Sequence, residues 1–131
     1  LSVLTYIEHI ITERKRVCSF YDQHLDWTNL SKLKLRADTT WNYAYYPVIF
    51  QTEEDLHSAK AKLEAHQIFP RRYFYPSLED LPYIDSKVCP IAQDFANKVL
   101  CLPLFVDLIE KQQQEIIIYL NDHEKHINYN R

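Results

Sequence analysis

Gln67-Ile68-Phe69-Pro70-Arg71-Arg72-Tyr73-Phe74-Tyr75-Pro76 decides how this chain is read, because two adjacent guanidinium groups run into three aromatic rings and a proline closes the segment. Its aromatic content favours extended backbone from Ile68 to Phe74. Side chains alternate along a strand, so Arg71, Tyr73 and Tyr75 are expected on one face and Arg72 and Phe74 on the other, with Phe74 in the core. Arginine offers a planar fork suited to phosphate or carboxylate, and tyrosine offers a stacking ring with a phenolic donor. Such a face suits a phosphorylated, ring-containing ligand. Two Leu-Pro elements follow, in Leu81-Pro82-Tyr83 and in Cys101-Leu102-Pro103-Leu104-Phe105.

On the N-terminal side, apolar residues at Val3, Leu4, Ile7, Ile10, Ile11, Val17, Cys18, Tyr21 and Leu25 have helical spacing, with Glu8, Glu13, Lys15 and Arg16 off the stripe. Residues 27–40 read as an irregular connection with a short extended piece around Leu33 and Leu35. Asn42 to Phe50 is aromatic and β-branched, a strand whose Pro47 lacks an amide donor and therefore points to an edge or a bulge. Thr52 is an N-cap, and Glu53, Glu54 and Asp55 suit the positive end of a helix that runs to about His66.

Beyond the central segment, residues 76–90 form a loop holding Pro76, Pro82 and Pro90, and Pro90 suits the first turn of a helix faced by Ile91, Ala92, Phe95, Ala96 and Val99. A third strand is expected over Leu100 to Phe105. Asp107 is then the expected cap of a last helix carrying Leu108, Ile109, Ile116, Tyr119 and Leu120. The order is helix, strand, helix, strand, helix, strand, helix. This pattern predicts an α/β (α+β) two-layer sandwich, a short sheet of about three strands covered by helices, with the long first helix packed along it.

At 131 residues the chain suffices for one domain with a real core and is short for two. It contains no glycine, where average usage is about 7%. Glycine lets backbone approach a phosphate or take positive φ without steric cost, so phosphate-binding glycine loops and dinucleotide fingerprints are excluded. Positive φ is expected at Asn or Asp, as at Asn29 or Asn121. A net charge of −3 and a pI near 6.1 give no basic field for nucleic acid. Cys18, Cys89 and Cys101 are an odd, widely spaced set without a CxxC pair, which points to reduced thiols in a cytoplasmic protein. No apolar run is long enough for a bilayer and no signal peptide is present. The chain opens at Leu1 inside an amphipathic pattern, which is read as a segment of something longer.

Arg71 has two readings, an anion contact or an ion pair with Glu79 or Asp80. The pair His123 and His126 has i,i+3 spacing without a neighbouring cysteine, in a polar tail, and is read as solvated; His57 and His66 are explained by helix packing. The nine lysines include none in a setting that desolvation or a cationic neighbour would activate for a Schiff base. No nucleophile–base set is evident. The residues alone describe a domain that contacts a ligand or partner, with no catalytic, metal-ligating or cofactor-binding residue of its own.

Gln67 to Tyr83, Cys89-Pro90-Ile91-Ala92 and Leu100-Cys101-Leu102-Pro103-Leu104 together resemble the C-terminal domain of DegT/DnrJ/StrS-type aminotransferases. Ile68, Arg71, Tyr73, Phe74, Pro76, Pro82, Tyr83, Leu102, Pro103 and Leu104 match that family's pattern. Arg14-Lys15-Arg16 with Tyr21 and Leu25 is similar to its opening helix, and Asn42-Tyr43-Ala44-Tyr45-Tyr46-Pro47-Val48 to its following strand. Gln67 stands where the family has glycine, and Leu78 where many members have histidine. The Arg-Arg-Tyr-Phe-Tyr-Pro run resembles the branch that acts on the 3-keto group of thymidine-diphosphate-linked deoxysugars.

The resemblance implies the small domain of a fold-type I enzyme using pyridoxal 5'-phosphate to aminate keto-deoxysugars of lipopolysaccharide, O-antigen or other glycans. The domain with the Schiff-base lysine has no counterpart here. The resemblance therefore implies a chain inactive alone, whose partners are a nucleotide-sugar substrate, the missing large domain or subunit, and a homo-oligomer. Arg71 is the implied anion contact, with Tyr73 and Tyr75 as ring partners. The alternative is a non-catalytic interaction module, a relic domain serving as a partner subunit.

Overall fold

A computed structural model describes residues 2–73, 75–85 and 89–122. Phe74 and the His123–His126 pair lie outside the described residues. The chain opens with a 3-10 turn, Ser2–Tyr6, leading into α1 (Ile7–His24). Two strands follow, β1 (Leu30–Lys32) and β2 (Tyr46–Phe50), then α2 (Glu53–Ala65) and a short 3-10 turn at Leu78–Asp80. α3 (Pro90–Lys98), β3 (Val99–Leu102) and α4 (Glu110–Asn121) complete the order. The two-layer α/β architecture is the one expected.

The sheet is antiparallel in the order β1-β2-β3. Opposed pairs Leu30–Phe50, Val48–Leu100 and Tyr46–Leu102 place one apolar face in the core. Val17, Cys18 and Tyr21 of α1, Leu56 and Leu63 of α2, and Ile116, Ile117 and Leu120 of α4 cover it. Polar ties set the helix positions. The Tyr21 hydroxyl donates to the Pro103 carbonyl at 3.0 Å, the buried Gln113 donates to the Val17 carbonyl at 2.9 Å, and Asn121 bonds the backbone of His24 and Asp26, both at 2.9 Å. The 3-10 turn ahead of α1 runs past this core, leaving Val3, Leu4 and Tyr6 exposed.

Several local expectations hold. The Thr52 side chain accepts from the Asp55 amide, capping α2, and Pro90 opens α3. Others fail for physical reasons. Of the strand expected over Ile68–Phe74, the described residues 68–73 form a single bridge: Arg71 exchanges bonds of 3.0 and 2.8 Å with Cys101. The extra strand is β1, three residues before the extended piece expected at Leu33.

Pro47 lies in the central strand rather than at an edge. Both backbone groups of Cys101 are taken by Arg71, so Cys101 turns them away from β2. Its ladder partner Pro47 turns its amide position the other way, toward β1, which ends at Lys32 opposite Val48. The missing N–H thus falls where no strand is left to receive it.

Among the described residues positive φ occurs at Asp38 and Asp107, as expected for aspartate, and also at Tyr43 and Gln67, but not at Asn29 or Asn121. Asp107 (φ 69°) is a turn residue and not a cap; α4 begins at Glu110, where the Ile109 amide donates to the Gln112 side chain. No helix among the described residues is long and apolar enough to cross a membrane.

Candidate functional site

The two arginines have separate fates. The Arg72 side chain is 11% exposed and packs between the ends of α2 and α3. Its guanidinium donates to the Glu53 carboxylate at 3.3 Å and to the carbonyls of Ala96 and Asn97 at 3.2 and 3.4 Å. Tyr75 lies beneath it. Arg72 is therefore a tie between elements.

Arg71 is exposed, and among the described residues its side chain has no ion-pair partner. The pairing with Glu79 or Asp80 is absent: the Glu79 carboxylate accepts from Ser77, and that of Asp80 accepts from Gln93 at 2.9 Å. Arg71 lines a recess of about 270 Å³ at the Cys101–Phe105 end of β3. Tyr45, Phe69, Tyr73 and Phe105 form its rim, and all four rings are substantially exposed. Tyr45 and Tyr73 meet at 4.8 Å between centroids and 56° between planes, a tilted pair. Burial pushes the Cys101 thiol, which also lines the recess, up to about 11.

The structure thus brings Arg71 and Tyr73 to one cavity and places Tyr75 elsewhere, under Arg72. The same-face expectation for Tyr73 and Tyr75 rested on strand alternation, which the segment does not maintain past its single bridge. Tyr45, Phe69 and Phe105 were not singled out as site residues. Tyr45 belongs to the aromatic run Tyr43–Tyr46 and Phe105 to the Leu-Pro element, but their convergence depends on β2 and β3 ending together. What the recess can do chemically is stack a ring and meet an anion, and among the described residues lining it there is no carboxylate or imidazole to act as a general base.

The described residues do not supply a cradle for pyridoxal phosphate. Lys32, Lys60, Lys62 and Lys98 are ion-paired with Asp22, Glu64, Asp122 and Asp94. Lys15, Lys34 and Lys111 are exposed. None has the desolvated or cation-flanked setting of a Schiff-base lysine. No group of three or more His, Cys, Asp or Glu among the described residues could hold a metal ion.

Residues 1–121 match the model of the DegT/DnrJ/EryC1/StrS aminotransferase family. The dTDP-4-amino-4,6-dideoxy-D-glucose transaminase of Escherichia coli is 31% identical over 119 residues, covering 82% of this chain and 32% of that protein. Its counterpart of the same name in Shigella dysenteriae is 31% identical over 112 residues, covering 80% and 30%. The chain thus spans about a third of the length of these relatives. The amino group in their name stands at carbon 4, where the resemblance had implied carbon 3.

Among solved structures, the aminotransferase TlmJ from Streptoalloteichus hindustanus superposes with a TM-score of 0.81 at 22% identity, over 90% of this chain and 32% of that one. Spr1654 of Streptococcus pneumoniae in its PLP form gives 0.78 at 19%, over 90% and 32%. These likenesses establish the fold, and the match over residues 1–121 establishes the kinship: the chain belongs to the DegT/DnrJ/EryC1/StrS aminotransferase family.

Proposed function

We propose that this chain corresponds to the C-terminal small domain of a pyridoxal-phosphate aminotransferase for nucleotide-linked keto-deoxysugars, and that it closes over the substrate at a cofactor site carried by a separate large domain. The observation that carries this reading is the exposed Arg71 guanidinium, without an ion-pair partner among the described residues, beside the Tyr45–Tyr73 pair. A fork of charged donors at a ring-lined recess suits the phosphates and ring of a nucleotide. The names of the two curated relatives favour amination at carbon 4 over carbon 3. The cofactor chemistry belongs to the large domain in this reading, so the chain alone has no turnover.

The test is Arg71→Ala in a complex carrying a large domain, measured for sugar-nucleotide affinity and for stability separately. Affinity should fall about tenfold or more, the loss expected when a charged hydrogen bond of about 1.5–3 kcal/mol is removed. Unchanged affinity would remove Arg71 from the site. A borohydride-trappable lysine adduct with transaminase activity in the isolated chain would overturn the division of labour.

The exposed Val3, Leu4 and Tyr6 favour a second reading, a non-catalytic interaction module that associates through this apolar end. Sedimentation of the isolated chain decides it. A stable self-association lost in Leu4→Asp, together with no response to any large domain, supports the module.

A further inference from the structure

A cavity of about 250 Å³ opens between the C-terminal end of α1, β1 and the segment after β1, with Tyr46 and Pro47 of β2 among its walls. Its lining shares no residue with the Arg71 recess. Drug-sized ligands occupy about 300–1,000 Å³, so this space suits a single small ring.

Asp22 and Lys32 line the cavity and pair at 2.8 Å. The buried Tyr46 hydroxyl donates to the same Asp22 oxygen, Oδ1, and so fixes the carboxylate. The other oxygen, Oδ2, has no hydrogen bond among the described residues, and the Asp22 side chain is 40% exposed. The Lys32 side chain is 45% exposed. Of the three N–H donors on its ammonium, one meets Asp22, and the group also lies 4.7 Å from the centre of the Trp27 ring, which leaves a donor over. The pair therefore presents a spare acceptor beside a spare donor, both within reach of solvent.

Trp41 supplies a flat wall. Its ring meets those of Tyr43 and Tyr46 at 4.6 and 6.3 Å between centroids, so the indole is braced by two neighbours. Tyr43 takes φ 53°, the left-handed region. Strain of this kind persists where the surroundings over-determine it, and it is concentrated at ligand clamps.

We propose that this cavity binds a small uncharged ring polyol, with one hydroxyl donating to Asp22 Oδ2, its neighbour accepting from Lys32, and the C–H face of the ring lying on Trp41. Charge sets the class. Asp22 and Lys32 cancel, so an anion loses at one what it gains at the other, and so does a cation. Adjacent hydroxyls both donate and accept, and use the two groups together. The negative face of the indole suits the C–H groups of a saturated ring. The site stands apart from the Arg71 reading, in which a charged phosphate is the ligand.

The full 131-residue chain can be titrated with methyl β-D-glucopyranoside and with its tetra-O-methyl derivative, followed by NMR. Saturable binding of the glycoside is expected at millimolar concentration, with shifts at the Trp41 indole N–H and at Leu33 and Leu35. The methylated compound cannot donate and should bind at least about tenfold more weakly. Asp22→Asn should weaken the glycoside by about tenfold, since it removes the charge from the acceptor. Leu35→Arg, at an exposed position on the cavity wall, should block the glycoside and serves as the control if Asp22→Asn fails to fold. No saturable binding, equal binding of the two compounds, shifts centred on Tyr45 and Tyr73, or binding retained in Leu35→Arg overturns the proposal. Because no nucleotide or large domain is used, failure here leaves the aminotransferase reading intact.

Discussion

The Arg72 guanidinium carbon lies 3.6 Å from the centroid of the Tyr75 ring. This pair, held by Glu53 and by the last carbonyls of α3, anchors the segment next to the exposed Arg71. Adjacent arginines thus differ in setting: Arg72 is packed between helices, and Arg71 is exposed beside the recess.

Arg72→Ala is expected to destabilise the domain by about 2–3 kcal/mol, since it removes charged hydrogen bonds and leaves the Ala96 and Asn97 carbonyls unpaired. Glu53 is 40% exposed and contributes little to this loss. Arg71→Ala should change stability by no more than about 0.5 kcal/mol. Urea unfolding of the two variants compares them directly; equal losses would show that the two side chains share one role.

Gln67 adopts φ 62°, the left-handed region, immediately after α2. A side chain there costs about 1–2 kcal/mol, and glycine returns about 0.5–1 kcal/mol of that as greater freedom of the unfolded chain. Gln67→Gly should therefore raise stability by about 0.5–1 kcal/mol, and Gln67→Val should lower it. Thermal melts of the pair check the sign, and a lower Tm for the glycine variant would refute the conformational argument.

Gln113 is fully buried, with Nε2 bonded to the Val17 carbonyl and Oε1 unpaired among the described residues. Replacing it with leucine removes an orphan acceptor and adds apolar contact, while the Val17 carbonyl remains within helix α1. Gln113→Leu is expected to lie within about 1 kcal/mol of the parent or above it, and Gln113→Ala to lose about 2 kcal/mol or more to the cavity it opens. Chemical denaturation distinguishes these. A large loss in the leucine variant would mean that the amide bond itself holds α4 to α1.

Burial pushes the Cys18 thiol up to about 12, with the Asp22 carboxylate adding to the shift, and burial alone pushes Cys101 up to about 11. Cys89 is exposed. At pH 8 a maleimide should label Cys89 alone in the native chain and all three thiols in urea. These two folded-state values exceed the ordinary value of 9.0, so their stabilising effect is complete below pH 9 and is lost as pH rises toward 11–12. Mass spectrometry of labelled protein and a pH series of melts test both statements. Rapid native labelling of Cys18 would contradict the packing of α1.

The sequence by itself determined the elements whose signals are local. The stripe from Val3 to Leu25 set α1, although residues 2–6 form a 3-10 turn ahead of it; Thr52 with three acidic residues set the start of α2, and Pro90 set the start of α3. The Arg-aromatic run and the Leu-Pro elements carried the family. Tertiary structure decided what depends on partners distant in sequence. Whether residues 68–73 paired depended on where Cys101 lay, and among the described residues only Arg71 found a bridge there. Pro47 could occupy the central strand because β1 stops one residue short of it, which no reading of Pro47 alone reveals. Arg71 and Arg72 are chemically identical in the sequence. Only the packing of α2 against α3 buried one guanidinium among carbonyls and left the other in solvent, because burial is a property of the assembled elements and not of the residue.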